Sequence, residues 1–129
     1  MEFTTQYNPD LGLVQCTLVG PVPADEIVNI QVEAIRLARE KGTRLFLIDN
    51  SRWEASLSLL DIYKWPRLYK EMKVNRSYRL AMILSDDPTA QKAIKFYETV
   101  CRNRGWEVAV FKQRREALDW LHTNSGTKA

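Results

Sequence analysis

The sequence is short of cysteine, short of histidine and free of long apolar runs, and each shortage removes a class of function. Two cysteines in 129 residues, Cys16 and Cys101, are too few for a disulfide scaffold. Both sit within apolar stretches and read as buried free thiols. The single histidine, His122, lies far in sequence from either cysteine, which argues against a Cys/His nucleophilic pair. These three residues also lack the spacing of a zinc site. The five glycines form no dinucleotide or phosphate-loop pattern, so no cofactor is implied. The longest apolar runs, residues 45–48 and 80–84, fall far below the about 20 residues that a membrane span requires. The first ten residues show no basic region followed by an apolar run, so the expected location is the cytoplasm. A net charge of +3 is too mild to imply nucleic acid. Repeats and Pro/Gly/Ser-rich linkers are missing as well, which leaves one domain over residues 1–122 and a frayed tail over 123–129.

What is present is a clear change of period along the chain. Phe3, Thr5 and Tyr7 alternate with polar residues, Asn8, Pro9, Asp10 and Gly12 supply turn chemistry, and Val14, Cys16 and Leu18 resume the alternation. This predicts a hairpin. Ile27, Ile30, Ala34 and Leu37 or Ala38 then recur at helical spacing, with Glu33, Arg36 and Glu40 on the opposite stripe, Arg36 able to pair with Glu40, and Gly42 as the closing cap. Residues 44–49 and 79–84 are apolar on both faces, as strands of a covered parallel sheet are. Between them Ser58 and Asp61 make a capping-box pattern, and Pro66 should split or kink the helix that follows. Asp87 and Pro88 open another helix with core stripe Ala90, Ala93 or Ile94, Tyr97, Val100 and Cys101, stopped by Gly105. Residues 106–111 alternate as a strand, and 116–121 give a short last helix. The order β-β-α-β-α-β-α-β-α predicts a three-layer α/β domain whose mostly parallel sheet carries one antiparallel strand from the N-terminal hairpin.

The segments FYETVCRNRGW, VAVF and EALDWL, with LIDNSRW and DIYKWP upstream, resemble the small STAS-like domains related to the sporulation anti-anti-sigma factor, the SpoIIAA-like group. That fold is also compared with the CRAL-TRIO lipid-binding domain. The resemblance implies a regulatory or ligand-binding module, often a dimer. Asp49 and Ser51 match the Asp-x-Ser that ends the third strand of the group, and Ser58 falls near its phospho-acceptor serine. Here the surrounding residues read ASLSLLD, without the acidic residue before the acceptor and the Ser/Thr-Gly after it, and plain N-capping is the alternative role for Ser58.

Ligands of open parallel sheets gather beyond the C-terminal ends of the strands. Those ends are expected to carry residues 49–53, including Asp49, Ser51 and Trp53, and then Ser85, Asp86 and Asp87. The competing role for Asp49 and Ser51 is to satisfy backbone groups of a turn. Trp53, Tyr63, Trp65 and Tyr69 concentrate aromatics in the region of Pro66, as a pocket wall, a partner-binding patch or core. Arg67, Lys70, Lys73, Arg76 and Arg79 recur every three residues, either as a surface for anionic partners or as a solvated helix face. No catalytic constellation emerges. The expected function is a non-catalytic binding or regulatory module acting on a protein partner through Asp49, Ser51, Trp53, Tyr63, Trp65 and Tyr69. The alternative is a carrier or sensor of a small apolar or amphipathic molecule near the strand C-termini. A homodimer is expected because the hairpin and residues 106–111 leave strand edges to protect.

Overall fold

Period-two alternation builds the first pair of strands in the computed structural model, which describes residues 2–55 and 57–123. β1 (Glu2–Asn8) and β2 (Leu13–Pro21) pair antiparallel. Asn8 closes their turn: its carbonyl accepts from the Gly12 N–H at 2.8 Å and its side chain from the Leu11 N–H at 3.1 Å. Then come α1 (Ala24–Lys41), β3 (Leu45–Glu54), α2 (Leu59–Glu71), β4 (Arg79–Ile83), α3 (Pro88–Asn103), β5 (Glu107–Phe111) and α4 (Arg114–Thr123). This is the element order expected from the sequence; residues 124–129 of the expected tail lie outside the described residues. The capping chemistry also matches. Gly42 ends α1 at φ 71° with its N–H on the Ala38 carbonyl, Ser58 and Asp61 form a reciprocal capping box, and Asp87 caps α3 ahead of Pro88.

The strands lie in chain order, β1-β2-β3-β4-β5, with every pair after the first parallel. Each crossover steps one strand in the same direction, so right-handed connections put all three crossover helices on one face. The larger core lies there, where Val14, Cys16, Leu18, Phe46, Met82 and Val108 of the sheet meet the buried stripes of α1, α2 and α3. Among the described residues α4 alone covers the other face, setting Ala117 and Leu121 against Leu13, Leu45, Leu47, Ala81 and Ile83. The three layers are therefore unequal.

Three local expectations are corrected. β3 continues past Asp49 to Glu54, because β2 stays paired with it as far as Pro21 opposite Glu54. α2 is not split at Pro66: it runs as one helix from Leu59 to Glu71 with the proline inside it, and the fully buried ring offsets the lost helix donor by packing. Arg36 pairs with Glu33 at 3.3 Å rather than with Glu40.

Both cysteines are buried and free. Burial pushes the Cys16 thiol up to about 11 and the Cys101 thiol up to about 12, from an ordinary 9.0. Folding therefore favours the protonated thiols. Their contribution to stability is whole below the unfolded value of 9.0 and is lost as pH climbs from there toward 12. At pH 8 both thiols should resist a thiolate-selective reagent in the native protein and react at once in guanidinium. Equal rates in the two conditions would show that the helical face opens freely.

Candidate functional site

The residues expected in a loop beyond β3 are part of the strand itself. Asp49 Oδ1 accepts from the Ser51 N–H at 2.9 Å and from the Ser51 hydroxyl at 2.6 Å. This clamp holds a bulge at which Asn50 and Ser51 together oppose the single Leu18 of β2. The extra residue resets the alternation, so that Phe46, Ile48, Asn50 and then Trp53 all belong to the helical side of the sheet. Trp53 is buried, with Nε1 donating to the Val22 carbonyl at 3.4 Å. Asp49 and Ser51 thus hold backbone in place.

The next strand end is similarly occupied. Ser85 donates to the Trp53 carbonyl at 2.8 Å and accepts from the Asp87 N–H at 3.0 Å. Asp87 Oδ2 accepts from the N–H groups of Ala90 at 3.0 Å and Ala55 at 3.4 Å. The strand order also never reverses, so the sheet lacks the switch-point crevice that makes strand C-termini binding sites in other open sheets. The polar groups expected to receive a ligand there are tying β3 to the start of α3.

The aromatic cluster divides. On an unbroken α2, Trp65 and Tyr69 lie one turn apart and face inward, while Tyr63 is turned to solvent and is 52% exposed. Trp65 meets Tyr97 edge-on at 5.9 Å, and Tyr69 meets Trp106 edge-on at 5.7 Å. The hydroxyls of Tyr69 and Tyr97 are hydrogen-bonded at 2.8 Å, and burial holds both well above the ordinary tyrosine range.

A crevice opens among these rings. α1 packs on β1 and β2, whereas α2 packs on α3, and between the two groups, over β3 and β4, lie two adjoining cavities of about 80 and about 50 Å³. The larger sits at the N-terminal ends of the strands, against Phe46, Leu80, Val108 and Tyr69. The smaller lies farther along, against Asn50, Trp53, Ile62 and Trp65. Gln31, Ile48 and Tyr97 border both. Two polar side chains on these walls, Gln31 and Asn50, escaped the sequence reading. Gln31 interrupts the apolar stripe of α1 one turn after Ile27, and Asn50 takes the next inward place after Phe46 and Ile48. A polar residue inside an apolar period was the signal available.

The second feature is the outer face of α2. Leu59, Leu60 and Tyr63 are 41%, 59% and 52% exposed. Among the described residues only Phe3 joins them as an exposed large apolar side chain. The Arg104 guanidinium lies 4.9 Å from the Tyr63 ring centre. Beyond it Arg67, Lys70, Arg76 and Arg104 border a shallow groove floored by Pro66 and Trp106, with Arg76 stacked 3.6 Å over the Trp106 ring. Ser58 stands at the start of this helix with its hydroxyl in the capping box. The basic series is not one surface: Arg79 is in a strand and faces the opposite layer, beside Glu107 and 4.0 Å from the Trp120 ring centre. His122 is on that same side, with Nε2 2.8 Å from the Leu11 carbonyl, whereas both cysteines lie on the other side of the sheet. No helix among the described residues is long and apolar enough to cross a membrane, and no three metal-ligating side chains converge among them.

No family model and no curated protein matches the sequence. Solved structures that resemble the chain over nearly its whole length include those of two proteins. One is an uncharacterized protein of the DUF3478 family with a SpoIIAA-like fold from Shewanella loihica PV-4: 21% identity, TM-score 0.56, covering 93% of this chain and 92% of that one. The other is the anti-sigma factor antagonist SpoIIAA in its unphosphorylated form: 16% identity, TM-score 0.56, covering 92% of this chain and 96% of that one. The five-stranded mixed sheet, its hairpin edge and its four helices are a SpoIIAA-like fold.

Proposed function

We propose that this chain is a non-catalytic regulatory module that binds a protein partner through the outer face of α2. The observation that carries the reading is the concentration of exposed Leu59, Leu60 and Tyr63 on one helix, bordered by Arg67, Lys70 and Arg104. Exposed apolar groups cost solubility when grouped, and a grouped patch rimmed by charge is the usual form of a docking surface. The likeness to an anti-sigma factor antagonist supports the same reading. The partner that fits offers an apolar anchor flanked by carboxylates. A phosphate on Ser58 would place roughly two negative charges at the edge of this face. The reading includes a homodimer paired along the open edge of β1, which has β2 as its one neighbour.

The test compares partner capture by the wild type and by Leu60→Asp/Tyr63→Asp, with thermal unfolding of both. We expect the double variant to bind its partner at least ten-fold more weakly with an unchanged melting temperature, since both side chains already stand in water. Undiminished capture by the double variant would overturn the assignment of this face.

A second reading, a carrier or sensor of a small amphipathic molecule, is supported by the paired cavities under α1 and α2.

A further inference from the structure

Two buried amide atoms on the crevice wall lack hydrogen-bond partners: Gln31 Oε1, an acceptor, and Asn50 Nδ2, a donor. Asn50 is 1% exposed. Both side chains border the smaller cavity, whose remaining wall is apolar or aromatic and contains no charged side chain. A buried polar group without a partner is costly, and few survive in native proteins without a use. Here two of opposite type border one space.

We propose that this crevice takes up a small neutral ring compound bearing a hydroxyl group, held by a hydrogen bond accepted from Asn50 and one donated to Gln31. The inference rests on the carrier reading and names its ligand class. Neutrality follows from the wall: the smaller cavity has no charged side chain, and Arg79 and Glu107, which border the larger one, are paired with each other toward the opposite layer, so an ion would be desolvated with no counter-charge. A ring follows from the space and its lining. The cavities, about 80 and about 50 Å³, adjoin across Gln31, Ile48 and Tyr97, so a six-membered ring held at the two amides would extend from the smaller space into the larger once those side chains shift. Trp53, Trp65 and Tyr97 are among the side chains lining the smaller cavity, and aromatic walls favour a ring. A hydroxyl follows from the two amides: it donates and accepts at one atom, so it satisfies an acceptor on one side and a donor on the other, and does so equally if both amides are turned together. The Tyr69–Tyr97 hydroxyl pair, at the junction with the larger cavity, extends the same polar seam.

The test uses the whole chain and two probes of nearly equal size, phenol and benzene, each titrated while amide resonances are followed by NMR. Phenol should bind at least ten-fold more tightly than benzene, with the largest shifts at the side-chain amides of Gln31 and Asn50. Asn50→Leu should still take up benzene but lose at least five-fold of the preference for phenol. Gln31→Leu serves the same purpose if the first variant fails to fold, and the wild-type ratio decides without either. Leu60→Asp/Tyr63→Asp should leave both affinities unchanged. Equal affinity for the two probes would overturn the hydroxyl recognition while leaving a carrier of apolar molecules. Spectra unmoved by both probes would overturn the carrier reading as well, and would mean that the amides are satisfied by water alone.

Discussion

Trp65→Ala is expected to lower the free energy of unfolding by about 3–5 kcal/mol, the range for removing a buried aromatic from a packed core. The ring is 8% exposed, stands edge-on to Tyr97, and forms part of the wall of the smaller cavity. Deleting it would enlarge that space, whose wall it shares with Ile62 and Ile94. Domains of this size hold a margin of roughly 5–15 kcal/mol, so the loss is a large fraction of the whole. It should appear as a fall in melting temperature of about 10–20 °C. Tyr63→Ala, two residues away on the solvent side of the same helix, should cost no more than about 0.5 kcal/mol. The contrast measures the division of the aromatic cluster directly by denaturant titration. A cost below about 1 kcal/mol for Trp65→Ala would place that ring with Tyr63 in the working surface instead of the core.

The second large effect is expected on the other side of the sheet. Arg79 and Glu107 occupy opposing positions on β4 and β5, with Arg79 Nε 3.2 Å from Glu107 Oε1. Their burial is unequal: the arginine side chain is 3% exposed and the glutamate 46%. The guanidinium also reaches the Leu121 carbonyl at 3.3 Å and lies over Trp120, while its Nε–H is not aimed well enough at the carboxylate to form a hydrogen bond. Removing the glutamate therefore leaves a buried charge with partial compensation, whereas removing the arginine leaves a carboxylate that water can reach. Glu107→Ala should cost about 3 kcal/mol, the lower end for breaking a buried ion pair, and Arg79→Met should be nearly neutral. Chemical denaturation of the two variants checks the order. A larger loss for Arg79→Met would mean that stacking on Trp120, more than charge, holds α4 to the sheet.

Much of the fold was legible because local signals agreed with the global one. The alternation of Val14, Cys16 and Leu18, the helical stripe from Ile27 to Ala38, the Ser58/Asp61 box and the Asp87/Pro88 start are each read from neighbours in sequence, and each is found in the structure. The misreadings arose where a residue's usual role was replaced by a tertiary one. Asp49 and Ser51 look like the end of a strand, but their side chains clamp a bulge that lets the strand continue. Pro66 looks like a helix break, yet its burial makes it part of the α2 packing surface. Once α2 is unbroken, 100° per residue sends Tyr63 away from Trp65, which a list of nearby aromatics cannot reveal. Arg79 continues a basic spacing in sequence, but it has passed from helix to strand and from one layer to the other. The crevice was harder still. It is made by α1 packing on one pair of strands and α2 packing on α3, so no single segment encodes it.

The unequal layering bears on the order in which the two faces of the sheet are covered as the chain is made. Strands β1 to β5 and three helices are synthesised before α4, and right-handed crossovers already cover one side of the sheet. Until Ala117 and Leu121 arrive, Leu13, Leu45, Leu47, Ala81 and Ile83 form an uncovered apolar strip across the middle strands. A nascent chain paused at β5 would have its main core assembled and one sticky side open to chaperones or to other nascent chains. The ten residues of α4 are thus the segment that closes this side of the sheet.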